Sequence, residues 1–275
     1  MLQAAMQHKG VRLIVLGWTG FIAENVIVSE HRAELVAMLG SEKIYKAAYA
    51  SLSTAACAAT LWGYGAYGHR QGPRVKPAGH ATRLAIVALQ ALGAAGLVHQ
   101  YAPKLNLPLQ LSKATIPQTN NNQSSNQPSS QHSIQPASGS SWNWSIACPI
   151  DFAYEKKQHT GLLGLQRITR HPQLFSLAFL SLGAALASPF LTARLLFTFP
   201  AVFAVIGGAH QDRRFVRDGK WSQEFIDKTS LIPFVALVDG RQQWSVLWNE
   251  LKHVNIGVGA VGAIVFAFFR KSPSA

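Results

Sequence analysis

Six stretches of this chain are apolar and almost free of charge, and polar segments separate them. They cover residues 13–28, 47–69, 84–103, 174–187, 191–208 and 254–269. The second carries no charged side chain for 23 residues, and a helix of that length crosses a hydrocarbon core of about 30 Å. The third is again about one bilayer long. The arms 174–187 and 191–208 are near the short limit for a span and meet at a Ser188-Pro189 turn. They read either as two spans or as a re-entrant hairpin, with Arg194 snorkelling from the turn to the headgroups. The pattern predicts an all-α polytopic membrane helix bundle with about six transmembrane helices.

Two features interrupt the pattern. Glu24 and Asn25 lie inside the first run, which otherwise reads as a signal anchor or first membrane helix. A carboxylate at that depth must pair, protonate or sit at a helix end, so one alternative is that the helix stops near Glu24. Between the first two runs, Leu35, Met38 and Leu39 recur at three- and four-residue spacing. That spacing predicts a short amphipathic helix closed by Gly40. In the last run, glycines at 257, 259 and 262 suit close helix packing.

From 114 to 150 there is no charge, and 119–141 is almost entirely Asn, Gln, Ser and Pro. Such a segment buries too little apolar area to offset its ordering entropy, so it reads as a disordered linker. It divides the chain into a front membrane region, 1–113, and a back membrane region, 151–275, each with three runs. Six crossings place 30–46, 104–173 and 209–253 on one face of the bilayer, opposite the 70–83 turn and both termini. Sixteen basic residues fall on the first face and nine on the other, but long loops keep that count from fixing the orientation.

Charged residues make up 13% of the chain and hydrophobic ones 48%, with a formal net charge of +13. A soluble basic face would point to nucleic acid. Here the basic residues sit between apolar runs, which points to the lipid bilayer and its anionic headgroups instead, and no nucleic-acid partner is expected. Cys57 lies in an apolar run and reads as a packing residue; Cys148 follows the linker, and the pair defines no disulfide framework.

Chemistry concentrates on the first face. Arg167-Ile168-Thr169-Arg170-His171-Pro172-Gln173 stands at the entrance of the fourth run, where a histidine between arginines is costly to place. Pro172 suits the first position of a helix and would fix His171 at its amino end. A neutral imidazole there could hold a metal through one nitrogen; the bland alternative is an interfacial histidine at a helix end. Arg167 and Arg170 could grip carboxylates. About forty residues on come His210, Asp212-Arg213-Arg214, then Thr229-Ser230-Leu231-Ile232-Pro233-Phe234 and Gly240-Arg241-Gln242. Asp212 could serve as a partner to a metal-bound histidine or as a surface ion pair.

The Arg-Ile-Thr-Arg-His-Pro-Gln stretch and its sequels resemble the NnrU family of membrane proteins, and within it the 15-cis-ζ-carotene isomerases. The Arg32-to-Gly40 stretch and Trp62-Gly63-Tyr64-Gly65 resemble the amino-terminal half of the same family. The resemblance implies a haem b site with His171 as iron ligand, Arg167 and Arg170 near the propionates, and an isomerase acting on a lipophilic polyene. His210, beside Asp212, is the implied candidate for a second axial ligand. Three departures accompany the likeness: Ile168 stands where plant relatives can carry cysteine, Ser176 where glycine is common, and the first-helix histidine has no counterpart but the offset His31. These departures favour the alternative of a non-catalytic membrane subunit or assembly factor that works with membrane-complex partners. An Arg-His-Pro turn also occurs in membrane methyltransferases, a third reading. The expected location is an integral membrane, plastid or mitochondrial in a eukaryote.

Overall fold

A computed structural model of the chain describes residues 6–75, 79–102, 162 and 164–269. The expected linker, 114–150, and Cys148 lie outside them. The described residues are helical, with no strand beyond one isolated bridge between Arg74 and Phe190. The elements are α1 (Lys9–Glu30), α2 (Arg32–Leu39), α3 (Glu42–Tyr67), α4 (His80–Tyr101), a 3₁₀ turn (Gly164–Arg167), α5 (Pro172–Ala187), α6 (Leu191–Arg217), α7 (Gln223–Lys228), α8 (Val235–Val238), α9 (Trp244–Glu250) and α10 (His253–Phe269).

This is an all-α helical membrane protein, but fewer helices than six are both long and apolar enough to cross a bilayer. Three are, α1, α4 and α6, and the bent pair α9–α10 makes at most a fourth. The 26-residue α3 is long enough, yet its serines, threonines and aromatic hydroxyls lower its hydropathy, because it buries polar groups against α1. The 16-residue α5 is apolar but short, about 24 Å end to end. Between α9 and α10 the chain bends by 87°, so α9 lies off the axis of the last helix.

Three expectations meet corrections. The first helix does not stop near Glu24; it continues to Glu30. Glu24 accepts hydrogen bonds from Ser53 Oγ at 3.1–3.2 Å and from Asn25 Nδ2 at 2.8 Å, so the carboxylate is solvated by its neighbours instead of ending the helix. Helix α2 and its left-handed Gly40 cap (φ 70°) form where expected, but α2 buries no residue, so it is not an amphipathic helix seated on a core. The helix of the fifth run does not end with its apolar residues at 208. Helix α6 carries on through Asp212-Arg213-Arg214 to Arg217, since Asp212, Arg214 and Arg217 find partners on neighbouring elements and Arg213 stays exposed.

Helices α10, α4, α5, α6, α1 and α3 pack side by side in that order, so the front and back regions share one core. At its centre Phe21, Leu174, Phe175, Phe203 and Ala204 close together, with Trp18 stacked on Phe199. In lipid, apolar burial distinguishes poorly between helix partners, and close approach with polar contacts decides the pairing. Gly93 and Gly96 let α4 touch α5: a Cβ on Gly93 would lie 2.4 Å from Leu180 N, and one on Gly96 2.1 Å from Ser176 Oγ. Of the three glycines in α10, Gly259 alone seats its backbone on α4, against Ala94 and Ala95; nothing lies within 4 Å of a Cβ on Gly257 or Gly262.

The counting argument for faces holds as a statement about the two ends of the bundle. The 188–191 turn joins the 68–75 turn through Val75 N to Pro189 O, Leu191 N to Pro73 O and Thr192 Oγ1 to Gly68 O. At the opposite end, the amino terminus of α5, the carboxyl ends of α1 and α6, and α7–α9 assemble around the Arg-His-Pro stretch.

Candidate functional site

Pro172 opens α5 at its first turn, which leaves His171 as the N-cap and the 168–170 link outside the helix. That link pairs with the chain after α7. Arg170 N donates to Ser230 O (2.9 Å), Phe234 N to Ile168 O (2.9 Å) and Thr169 Oγ1 to Leu231 O (2.6 Å). The Thr-Ser-Leu-Ile-Pro-Phe stretch is therefore a backbone receptor for Arg-His-Pro. Ser230 Oγ accepts from Ala236 N, and Phe234 takes a left-handed conformation (φ 69°) that turns the chain into α8.

Two buried ion-pair clusters fasten this end. In the first, Arg170 Nε and Nη2 both donate to Asp212 Oδ2 (3.0 and 2.6 Å), and Arg170 Nη1 donates to Ile226 O (3.1 Å). The other carboxylate oxygen, Oδ1, lies 2.7 Å from His171 Nε2. The side chains of Arg170, His171 and Asp212 are 10%, 5% and 12% exposed, so all three share a site shielded from water. In the second cluster, Arg167 makes a two-point contact with Glu250 (2.8 and 2.6 Å), and Glu250 also accepts from Gly164 N. Hydrogen bonding to Arg167 holds the Glu250 carboxyl below the usual carboxylate range and raises the guanidinium in return. Gln242 bridges outward, accepting from Arg167 Nη1 (2.6 Å) and donating to Lys228 O (2.8 Å), while Arg241 Nη1 donates to Thr229 O.

Asp212 and His210 are two residues apart on α6, about 200° around its axis, so they face different neighbours. His210 Nε2 lies 2.7 Å from Ser29 Oγ on α1, with Nδ1 3.8 Å from Glu30; Arg217 pairs with Glu30 as well. The structure thus brings together His171, Arg170 and Asp212, sets Arg167 in a separate cluster, and turns His210 away toward α1.

The family model described as NnrU protein matches residues 13–271. The chain belongs to the NnrU family. No curated protein and no solved structure matches it.

A haem ligand in this NnrU protein would need an imidazole nitrogen directed into open space. Both histidines have Nε2 committed to a protein partner, His171 to Asp212 and His210 to Ser29. The His171 ring is also confined: Trp221 packs on it at 5.5 Å between centroids, and its Cδ2 would lie 3.1 Å from a Cβ on Gly208. Among the described residues no group of three or more His, Cys, Asp and Glu side chains converges on a metal position. Arg170, His171 and Asp212 thus form a closed clasp in which Nε2 of His171 is taken up by Asp212, while Arg167 pairs with Glu250 and His210 turns to Ser29.

Among the described residues of this NnrU protein a larger open volume lies elsewhere. A groove of about 1430 Å³ runs between α1, α3, α4, α5, α6 and α10 toward the end away from the clasp. Leu61, Leu177, Leu180, Leu196, Phe197 and Phe266 supply much of its apolar lining. His69, Arg70 and Arg74 also line it, and Gln90 and Ser181 contribute polar groups among the apolar side chains. Glu250, Trp221, Ser29 and Gln90 were not singled out from sequence. A lone carboxylate just before an apolar run was the available signal for Glu250, and a lone amide inside an uncharged run the signal for Gln90.

Proposed function

We propose that this NnrU-family membrane protein holds an elongated lipophilic molecule in the groove between its helices. The groove itself carries this reading: it is largely apolar, large enough for a long chain, and bordered by helices that meet lipid on their outer faces. Lipophilic polyenes, the substrate class that the resemblance implies, belong to the class such a groove would take. The clasp acts on this site from a distance, by fixing the ends of α5 and α6 whose other halves form the groove floor.

Trp18 lines the groove and supplies the test. A polyene fluorophore added to the full-length protein in neutral detergent should quench Trp18 emission, and Trp18→Phe should remove most of that energy transfer. Filling the floor with Ala193→Phe should weaken binding by about tenfold, roughly 1.4 kcal/mol. Unchanged affinity in the filled variant would refute the groove as the site.

A haem-dependent isomerase is the second reading. The complete Arg-Ile-Thr-Arg-His-Pro-Gln motif favours it, and the engaged Nε2 of His171 weighs against it. Purified protein supplied with haem should show a Soret band sensitive to His171→Ala if that reading is right. Absence of the band leaves a binding protein or a membrane-complex subunit without haem chemistry.

A further inference from the structure

The groove has two polar features that an uncharged hydrocarbon would leave unused. The first is its cationic mouth. His69, Arg70 and Arg74 line the groove, and Arg74 also covers the Phe190 ring at 5.9 Å. No acidic residue occurs in 1–23, 43–150, 156–211 or 251–275, so every segment that builds this end lacks a carboxylate. Cations held together without internal counter-charge raise the local potential and favour an anion.

The second feature is Gln90. It lies midway along α4, is 6% exposed, and lines the groove. Its stem packs where α5 has no side chain, since a Cβ on Gly183 would come within 2.5 Å of Gln90 Cγ. Its amide makes no side-chain hydrogen bond among the described residues. An amide that faces an apolar groove without a partner is unfavourable, and a ligand oxygen at that depth would supply the partner. Residue 90 is ten positions into α4, so the amide sits about 15 Å along the helix from its amino end.

Resting on the groove as the binding site, we propose that its occupant is a long-chain anion with a second oxygen function partway along its chain. The anionic head pairs with Arg70 and Arg74, the apolar chain lies along α5 and α6, and the inner oxygen bonds the Gln90 amide. A phospholipid of the bilayer supplies the head but carries no polar atom that deep in its acyl chain. An uncharged polyene supplies the chain alone.

The test displaces cis-parinaric acid from the full-length protein in zwitterionic lipid nanodiscs. Competitors are 12-hydroxystearate, stearate and methyl stearate. The expected order of affinity is hydroxy acid, then acid, then ester, with about tenfold between the last two. The pair Arg70→Gln and Arg74→Gln should remove the preference of acid over ester, and Arg70→Lys with Arg74→Lys should keep it. Gln90→Met should remove only the advantage of the hydroxyl. Equal affinity for stearate and its ester in the native protein overturns the anionic head and leaves the groove reading intact. Equal affinity for stearate and 12-hydroxystearate overturns the role of Gln90. If parinaric acid itself fails to bind, the groove reading fails and this inference goes with it.

Discussion

The two ends of the bundle handle charge in opposite ways. At the clasp end, arginines meet carboxylates: Arg170 with Asp212 and Arg167 with Glu250 in largely shielded pairs, Arg32 with Glu42 in an exposed one. At the groove end, the segments that contribute Lys9, Arg12, Arg70, Arg74 and Arg194 contain no acidic residue at all. The difference teaches what each end is for. Buried pairs constrain geometry, and removing one partner is far more costly than the net worth of the pair. The groove-end cations contact carbonyls and rings instead, Arg194 with Ser188 O, Lys9 with Tyr67 and Arg74 with Phe190, so no carboxylate of those segments neutralises them.

The sharpest way to break this comparison is Asp212→Ala. It strands the Arg170 guanidinium in a site with 10% exposure and removes the partner of His171, so a loss of about 3–5 kcal/mol is expected, read as a fall in thermal midpoint in detergent. A loss below 1 kcal/mol would show that the clasp does not fasten the fold. Arg170→Lys should fall between, because a single ammonium cannot reproduce the contacts of Nε, Nη1 and Nη2.

Next in size is the second cluster. Arg167→Ala leaves Glu250 with Gly164 N as its remaining donor, and a loss of about 1–3 kcal/mol follows from the charge-assisted bonds removed. This pair also sets a pH dependence. Glu250 has its folded-state pKa lowered, so its contribution is fully present above the unfolded carboxylate value near 4.3 and is lost as pH falls through the lowered folded value. Thermal melts taken downward from pH 6 should therefore show a decline that Glu250→Gln flattens. A decline of equal steepness in both proteins would assign it to other carboxylates.

Smaller still is Arg217→Ala. Its pair with Glu30 has side chains 54% and 42% exposed, so the fall in thermal midpoint should be slight and shrink further in high salt. The smallest effect belongs to the opposite end. Arg70→Gln with Arg74→Gln should alter stability by no more than about 0.5 kcal/mol, since neither arginine is paired with a carboxylate at that acid-free end. A large loss there would mean that the groove end is fastened by its arginines as firmly as the clasp end.

The sequence by itself determined the helical class, the place of most elements and which motifs share an end. Those follow from local physics: hydrophobic runs set where helices run, Pro172 and Gly40 set where two of them begin and end, and counting crossings places Arg32, His171 and Asp212 together. Tertiary structure alone decided the rest. Glu24 lies inside α1 because Ser53 on another helix solvates it, and no pattern within 13–28 contains that fact. Helix α6 outlasts its apolar run because Asp212 and Arg214 find partners in the link before α5 and on α1. His171 and His210 look equivalent in a list of candidate ligands, yet a rotation of about 200° between positions 210 and 212 sends one histidine's neighbour to α5 and the other to α1. The number of helices able to span is set by length and composition, since α5 has 16 residues and hydroxyls lower the hydropathy of α3, whereas which polar groups inside a helix find a partner is decided only by its neighbours.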